Sequence, residues 1–215
     1  MHGIHFCGRS FVPLIRHLKK KRHAKIFILT DENTRKHCLP LLHKALFPAE
    51  HSNVITIRSG EKNKNIRSCV QIWEALASMR ADRHALLINL GGGTLCDTGG
   101  FAASTYKRGI AFVNIPTTLL SMADAAIGGK TGVNAAGIKN MAGTFAFPEA
   151  VFINPAFLET LPARQFRSGY AEIIKHALIA DAGLWEMLPA MLSGKGPVKQ
   201  AEMKQLIRRS AEIKT

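Results

Sequence analysis

Apolar positions along this chain follow two alternating patterns. Four short runs rich in β-branched and aromatic residues stand at 25–30 (KIFILT), 53–57 (NVITI), 85–90 (ALLINL) and 109–115 (GIAFVNI), each bounded by turn or charged residues. Runs this short and this continuously apolar predict strands buried on both faces of a parallel sheet. Between them apolar residues recur three and four apart, most clearly over 64–79, where Ile66, Val70, Trp73, Leu76 and Ala77 share one helical face. The alternation predicts βαβ units. A fifth strand is expected at 150–153 (AVFI), after a glycine-containing loop region from 128 to 148.

Beyond Pro155 no strand pattern recurs, and 165–180, 183–191 and 198–213 carry helical periodicity broken by Pro and Gly. The expected organisation is an α/β domain over residues 1–156, followed by the first helices of an all-helical domain over 157–215. The last helix carries Met203, Leu206, Ile207 and Ile213 and reaches Thr215 without a stop signal. Its apolar side is therefore expected to await partners outside the chain.

Charge changes this picture only locally. The formal net charge is +14, gathered partly over 16–22 and partly over 199–214. A phosphorylated substrate or cofactor needs only a local positive pocket, and no nucleic-acid partner is expected. An apolar content of 47% excludes a wholly disordered chain. No stretch approaches the length of a membrane span, and the first residues lack the order of a signal peptide, so neither membrane nor export is expected. Cys7, Cys38, Cys69 and Cys96 stand far apart and form no ligand pair. Free thiols in a reducing compartment, the cytoplasm, are the expectation.

Three segments carry candidate chemistry. Gly91-Gly92-Gly93 follows a predicted strand and precedes a predicted helix, so its backbone can approach a pyrophosphate while the helix N-terminus offers open amides. Asp97, one turn on, either caps that helix or binds a hydroxyl. The second segment runs from Pro116-Thr117-Thr118 through Asp124 to Gly128-Gly129-Lys130-Thr131 and Lys139-Asn140. Its density of glycine, lysine, amide and acid suggests a ligand cleft, although the spacing is wrong for a nucleotide triphosphate loop. The third is Glu172, Lys175 and His176, which share one helix face. Glutamate and imidazole can ligate zinc, yet a surface ion pair fits the same spacing. The other histidines, His17 and His23 among them, read as ordinary.

The order of these segments, with Arg108-Gly109, Leu161-Pro162 and Gly169-Tyr170-Ala171-Glu172-Ile173-Ile174-Lys175, closely resembles the 3-dehydroquinate synthase family. The resemblance implies a Rossmann-like NAD-binding domain followed by the beginning of an all-helical domain. It implies conversion of 3-deoxy-D-arabino-heptulosonate 7-phosphate to 3-dehydroquinate and phosphate in the shikimate pathway, with NAD, a divalent zinc or cobalt ion, and a homodimer. By the same resemblance Glu172 is a metal ligand, and Asp124, Lys130, Asn140 and Lys175 surround the substrate. Arg108 contacts phosphate, reaching across the dimer interface, and Lys139 lies close to cofactor and substrate. Asp31 and Asn33 lie on the adenosine side of NAD, Glu61 and Lys64 on the ribose side, and Gly92, Gly93, Asp97, Thr117, Thr118, Thr160 and Leu161 complete the cofactor site. Three departures stand out: Ala125-Ala126 after the acid where the family carries two serines, Gln165 in place of a glutamate, and His176 at a position that is not normally a ligand. Family members also continue past the equivalent of residue 215 with two further metal-binding histidines, so the chain is expected to be an incomplete enzyme. A related sugar-phosphate cyclase and a noncatalytic NAD-binding fragment are the alternatives.

Overall fold

The computed structural model of the chain describes residues 3–46, 53–192 and 200–214. In chain order these form β1 (Ile4–Phe6), α1 (Val12–Lys21), β2 (Ile26–Asp31), α2 (Glu32–His37), α3 (Leu39–Leu46), β3 (Asn53–Ile57), α4 (Ile66–Ser78), β4 (Leu86–Gly91), α5 (Gly93–Thr105) and β5 (Ala111–Pro116). A π turn (Ser121–Ala125) and a hairpin of β6 (Lys130–Ala135) and β7 (Ile138–Phe145) follow, then β8 (Val151–Ile153), α6 (Ala163–Ala180), α7 (Ala182–Leu192) and α8 (Gln200–Lys214). Six strands make one parallel sheet in the order β1-β8-β5-β4-β2-β3. From β2 the chain first winds outward to β3, then crosses to β4 and winds the other way. The order therefore reverses between β2 and β4, where open α/β sheets leave a crevice at the strands' carboxyl ends.

All five predicted strands are present, and each is mainly apolar because helices cover both faces of the sheet. Along β4, Leu86, Ile88 and Leu90 enter the core under α1, α3 and the C-terminal helices, while Leu87 enters the core under α4 and α5. Asn89 on that second face donates to Asn114 Oδ1 at 2.9 Å, and Asn114 donates to the carbonyl of Ala126 at 3.1 Å. This buried amide chain fastens the π turn to the sheet. Trp73 Nε1 donates to Ala102 O at 3.0 Å and docks α4 on α5. All four cysteines are free and buried, and among the described residues no helix is long and apolar enough to cross a membrane.

The structure departs from two expectations and adds one strand. The region 128–148 is not a loop: most of it is the antiparallel hairpin β6–β7, paired from Lys130–Phe145 to Ala135–Ile138. The short edge strand β1, paired with β8, gave no run long enough to read. The apolar side of α8 is already covered, with Met203, Leu206, Ile207 and Ala211 buried against the same core as Phe152 and Phe157. Residues 198 and 199 of the predicted last helix lie outside the described residues.

The C-terminal helices are joined by polar ties as well as by apolar packing. Asp181 ends α6, accepts from Leu184 N at 2.9 Å at the start of α7, and forms an ion pair with Arg209 of α8. The Arg209 hydrogen bonds, helped by the Leu184 amide, hold the Asp181 carboxyl below its ordinary value. A depressed folded pKa adds stability above the unfolded value of about 3.9 and loses it as pH falls through the folded one. Asp181→Asn should therefore flatten the acid limb of a thermal-stability profile below about pH 4, whereas a limb as steep as that of the parent would contradict the clamp. Gly99 lies where α5 crosses the sheet, and a Cβ there would press on Asn89 and come within 2.7 Å of Leu29 Cδ2. Gly99→Ala should cost roughly 1–3 kcal/mol in urea unfolding by overpacking; an unchanged midpoint would contradict the contact.

Candidate active site

β4 and β5 stay in register to their last residues, Gly91 opposite Pro116, and Thr117 N donates to Gly91 O at 3.0 Å. The two loops leaving these strands therefore lie against each other. A Cβ on Gly92 would stand 3.0 Å from Thr118 Cγ2, and one on Gly93 2.8 Å from Ala125 Cβ, so only glycine lets the turn pass this closely. Gly92 caps α5 through its carbonyl, which accepts from Leu95 N and Cys96 N. The amides of Gly93 and Thr94 open the helix without an intrahelical partner, a setting that favours an anion.

This turn forms one wall of a cleft of about 560 Å³ at the β2/β4 reversal. Asp31 and Asn33 line it at the end of β2, Gly92 and Gly93 at the end of β4, Thr117 and Thr118 after β5, and Thr160 and Leu161 close the far side. Eight of the residues assigned by resemblance to the cofactor thus face one cavity. Gln165 lines it too. Asp31 is already engaged as the cap of α2: its Oδ1 accepts from Thr34 N at 2.8 Å, and Thr34 Oγ1 accepts from Asp31 N at 2.9 Å.

A second cluster sits beside the glycine turn. Lys64 is buried, donates to Asp97 Oδ2 at 2.6 Å and also to Asn140 Oδ1. Its carbonyl accepts from Asn134 N at 2.8 Å, which docks the hairpin on this segment. Glu61 accepts from Thr94 Oγ1 at 3.0 Å and from Asn134 Nδ2 at 2.9 Å. Burial raises the Asp97 carboxyl above its ordinary value and prevails over the pull of Lys64. For Glu61 burial acts upward too, but the bonds from Asn134 and Thr94, with Lys64 and Lys139 nearby, leave it below the ordinary value.

The third cluster joins the π turn to α6. Asp124, Glu172 and His176 offer ligand atoms that all lie within 4.8 Å of one another. His176 Nε2 is 3.4 Å from Glu172 Oε1 and 4.0 Å from Asp124 Oδ1, while its Nδ1 bonds Ser210 Oγ at 2.6 Å and so orients the ring. Burial keeps the imidazole below its ordinary value, against the pull of both carboxylates. Two ammonium groups balance the acids: Lys175 pairs with Glu172, and Lys214 Nζ stands 2.7 Å from Asp124 Oδ1. The bond to Glu172 raises Lys175 above its ordinary value. Asp124 Oδ1 is buried and, despite that ion pair, has no partner in hydrogen-bonding geometry. Two carboxylates, one oriented imidazole and an under-satisfied buried oxygen fit a divalent zinc or cobalt ion by donor chemistry.

The remaining candidates are placed differently. Lys139 is exposed on β7 and near enough to Glu61 to act on its charge. Lys130 is exposed at the start of β6 and, among the described residues, bonds to no other candidate. Arg108 lies past the C-terminal end of α5, roughly 20 Å of helix from the glycine turn, with a left-handed backbone. The family resemblance puts Asp124 beside the substrate and Glu172 on the metal, and sets His176 aside; the structure brings all three within one cluster. From the residues themselves only the Glu172–His176 spacing marks this cluster, because Asp124 joins it through tertiary packing.

A doubly wound parallel sheet, with a glycine turn at its reversal point and a carboxylate–imidazole cluster next to it, defines a Rossmann-like fold followed by helical segments. The family model for the 3-dehydroquinate synthase N-terminal region matches residues 54–168. The 3-dehydroquinate synthase of Parabacteroides distasonis is 48% identical over 165 residues, covering 76% of this chain and 46% of that protein. That of Enterococcus faecalis is 41% identical over 191 residues, covering 88% and 53%. The solved structure of ValA, a 2-epi-5-epi-valiolone synthase from Streptomyces hygroscopicus subsp. jinggangensis 5008 with NAD+ and Zn2+ bound, superposes with TM-score 0.84 at 30% identity, covering 99% of this chain and 60% of that one. The chain belongs to the 3-dehydroquinate synthase family. It spans about half the length of the curated relatives it matches.

Asp97→Ala should destabilise the protein by roughly 3 kcal/mol, because it strands the buried Lys64 ammonium without its counter-ion. A loss below about 1 kcal/mol in denaturant titration would mean that the pair is no more than a surface contact.

Proposed function

We propose that this chain supplies the NAD-binding unit (residues 1–156) and the first metal-site helices (157–215) of a 3-dehydroquinate synthase, a lyase that converts 3-deoxy-D-arabino-heptulosonate 7-phosphate to 3-dehydroquinate and phosphate. The observation that carries this reading is the contact of the two loops after β4 and β5. It sets an anion-receptive glycine turn against the segment bearing Asp124. Bound NAD would supply reversible hydride acceptance from the carbon that bears a substrate hydroxyl, whose proton leaves separately, and a divalent ion, zinc or cobalt, held by Glu172 would supply polarisation of that oxygen.

The chain's own residues bind and orient. The turn at Gly92 and Gly93, with the open amides of Gly93 and Thr94, and the hydroxyls of Thr117 and Thr118 cradle the pyrophosphate, with Asp31 and Asn33 at the adenosine end and Thr160 and Leu161 closing the cleft. Glu61, Lys64 and Asp97 form a braced polar wall on the ribose side. Glu172 holds the ion, with Asp124 and His176 beside it. Lys175, Lys130, Lys139 and Asn140 face the substrate and balance its negative charge, and Arg108 reaches the phosphate of the neighbouring site in a homodimer. Catalysis in the cytoplasm, without membrane or nucleic-acid partners, completes the reading. The 30% identity with ValA keeps a related sugar-phosphate cyclase as the second reading.

NAD+ calorimetry on the chain tests the cofactor site. Gly93→Val should lower Tm, because its Cβ presses on Ala125, and in the folded variant should also weaken binding at least about tenfold, since the added side chain fills the turn; unchanged affinity of the folded variant would place the nucleotide elsewhere. Phosphate release from the heptulosonate phosphate tests the reaction. In the protein that carries this sequence, Lys130→Ala should lower kcat roughly a hundredfold at constant Tm, and equal turnover per folded molecule would remove Lys130 from the site. NAD+ binding with no phosphate release, zinc and substrate supplied, would mark a noncatalytic NAD-binding fragment.

A further inference from the structure

A third group of ligating side chains lies at the opposite end of the sheet. His17 stands in the second half of α1, His23 two residues past its end, and Glu149 just before β8. All three therefore sit at the amino ends of the parallel strands, whereas the cleft opens at their carboxyl ends. His17 Nε2 is 2.9 Å and His23 Nε2 3.3 Å from the same oxygen, Glu149 Oε2, and all three ligand atoms lie within 4.8 Å of one another. The side chains are 14%, 9% and 23% exposed, so the point they share is half-sheltered with one open side.

We propose that His17, His23 and Glu149 form a second site for a divalent transition-metal ion of the zinc class, one that staples the end of α1 to the start of β8. Ligand atoms held about 2.0–2.1 Å from a tetrahedral zinc are about 3.3 Å apart. The two imidazole-to-carboxylate distances already match that spacing within a few tenths of an ångström. The scaffold is set before any ion arrives: the His17 ring meets Phe152 edge-on at 5.5 Å, and Glu149 N donates to Phe112 O at 2.8 Å. Lys21 Nζ, 3.6 Å from the other oxygen of Glu149, already supplies a counter-charge for the carboxylate. Two further imidazoles aimed at one oxygen are therefore more than ion pairing requires. Two imidazoles and one carboxylate with an open fourth position make a set that zinc takes with a water. A single carboxylate, already paired with Lys21, disfavours magnesium and calcium, which are held by oxygen ligands rather than by nitrogen donors.

The test uses the 215-residue chain carrying Glu172→Ala, which removes a ligand from the Asp124 cluster, titrated with Zn2+ against a chromophoric chelator. One equivalent of zinc should remain bound. His17→Ala or His23→Ala should weaken it at least about tenfold, Lys21→Ala should tighten it, and Mg2+ should not compete. Absence of bound zinc in the Glu172→Ala chain, or equal affinity after both histidines are replaced, would overturn the site. Should the double variant not fold, histidine acylation of the parent chain, mapped by mass spectrometry, decides the matter instead. Zinc should slow modification of His17 and His23, and equal rates with and without zinc would overturn the proposal.

Discussion

β4 and β5 run in parallel from Leu86 opposite Ala111 to Gly91 opposite Pro116, and this shared register decides where the chemistry can be. Two strands that end level release their loops at one height. The glycine turn and the segment from Thr117 to Asp124 then touch, and the Gly91 carbonyl is bonded by Thr117 N. A slip of one residue would turn Asn89 and Asn114 out of their shared face and break the amide chain that holds the π turn. Asp124 rides on that turn, so its meeting with Glu172 and His176 depends on the same pairing.

Around this frame the site is assembled from charges that cannot stand alone. Lys64 is sunk beside Asp97 and Asn140, and the hairpin that brings Asn140 is itself bonded to the Lys64 carbonyl. Removing one member leaves a buried charge behind, which is why such networks specify geometry more than they add net stability. The acids of the Asp124 cluster are likewise matched by Lys175 and Lys214. In both clusters the lysines act as local partners of particular carboxylates, so part of the +14 is structural and carries no signal of a polyanionic partner.

Much of the architecture was legible because parallel strands are buried on both faces and read as largely apolar runs, as at 26–29 and 86–90. The glycine turn was legible for the same reason, since it follows such a run directly. The β6–β7 hairpin was not: Gly132 pairs with Gly143, Thr131 with Thr144, and most of β7 is exposed, so neither an apolar alternation nor a run marks it. What stayed hidden in the site were the long-range meetings. Asp124 reaches Glu172 and His176 only because α6 packs on the π turn, and Glu149 reaches His17 only because β8 inserts beside β5. Spacing along the chain reports partners within one helix, as for Glu172 and His176, and is silent on those that a crossover brings together.

In the proposed function the β2/β4 reversal and its glycine turn receive NAD. Amide hydrogen exchange with and without NAD+ tests it most directly, because the amides expected to bind the pyrophosphate are themselves the probes. Slower exchange concentrated at residues 92–95, with 117–120 and 58–61 following, is the predicted result. Protection elsewhere on the sheet, or none at saturating NAD+, would contradict the account.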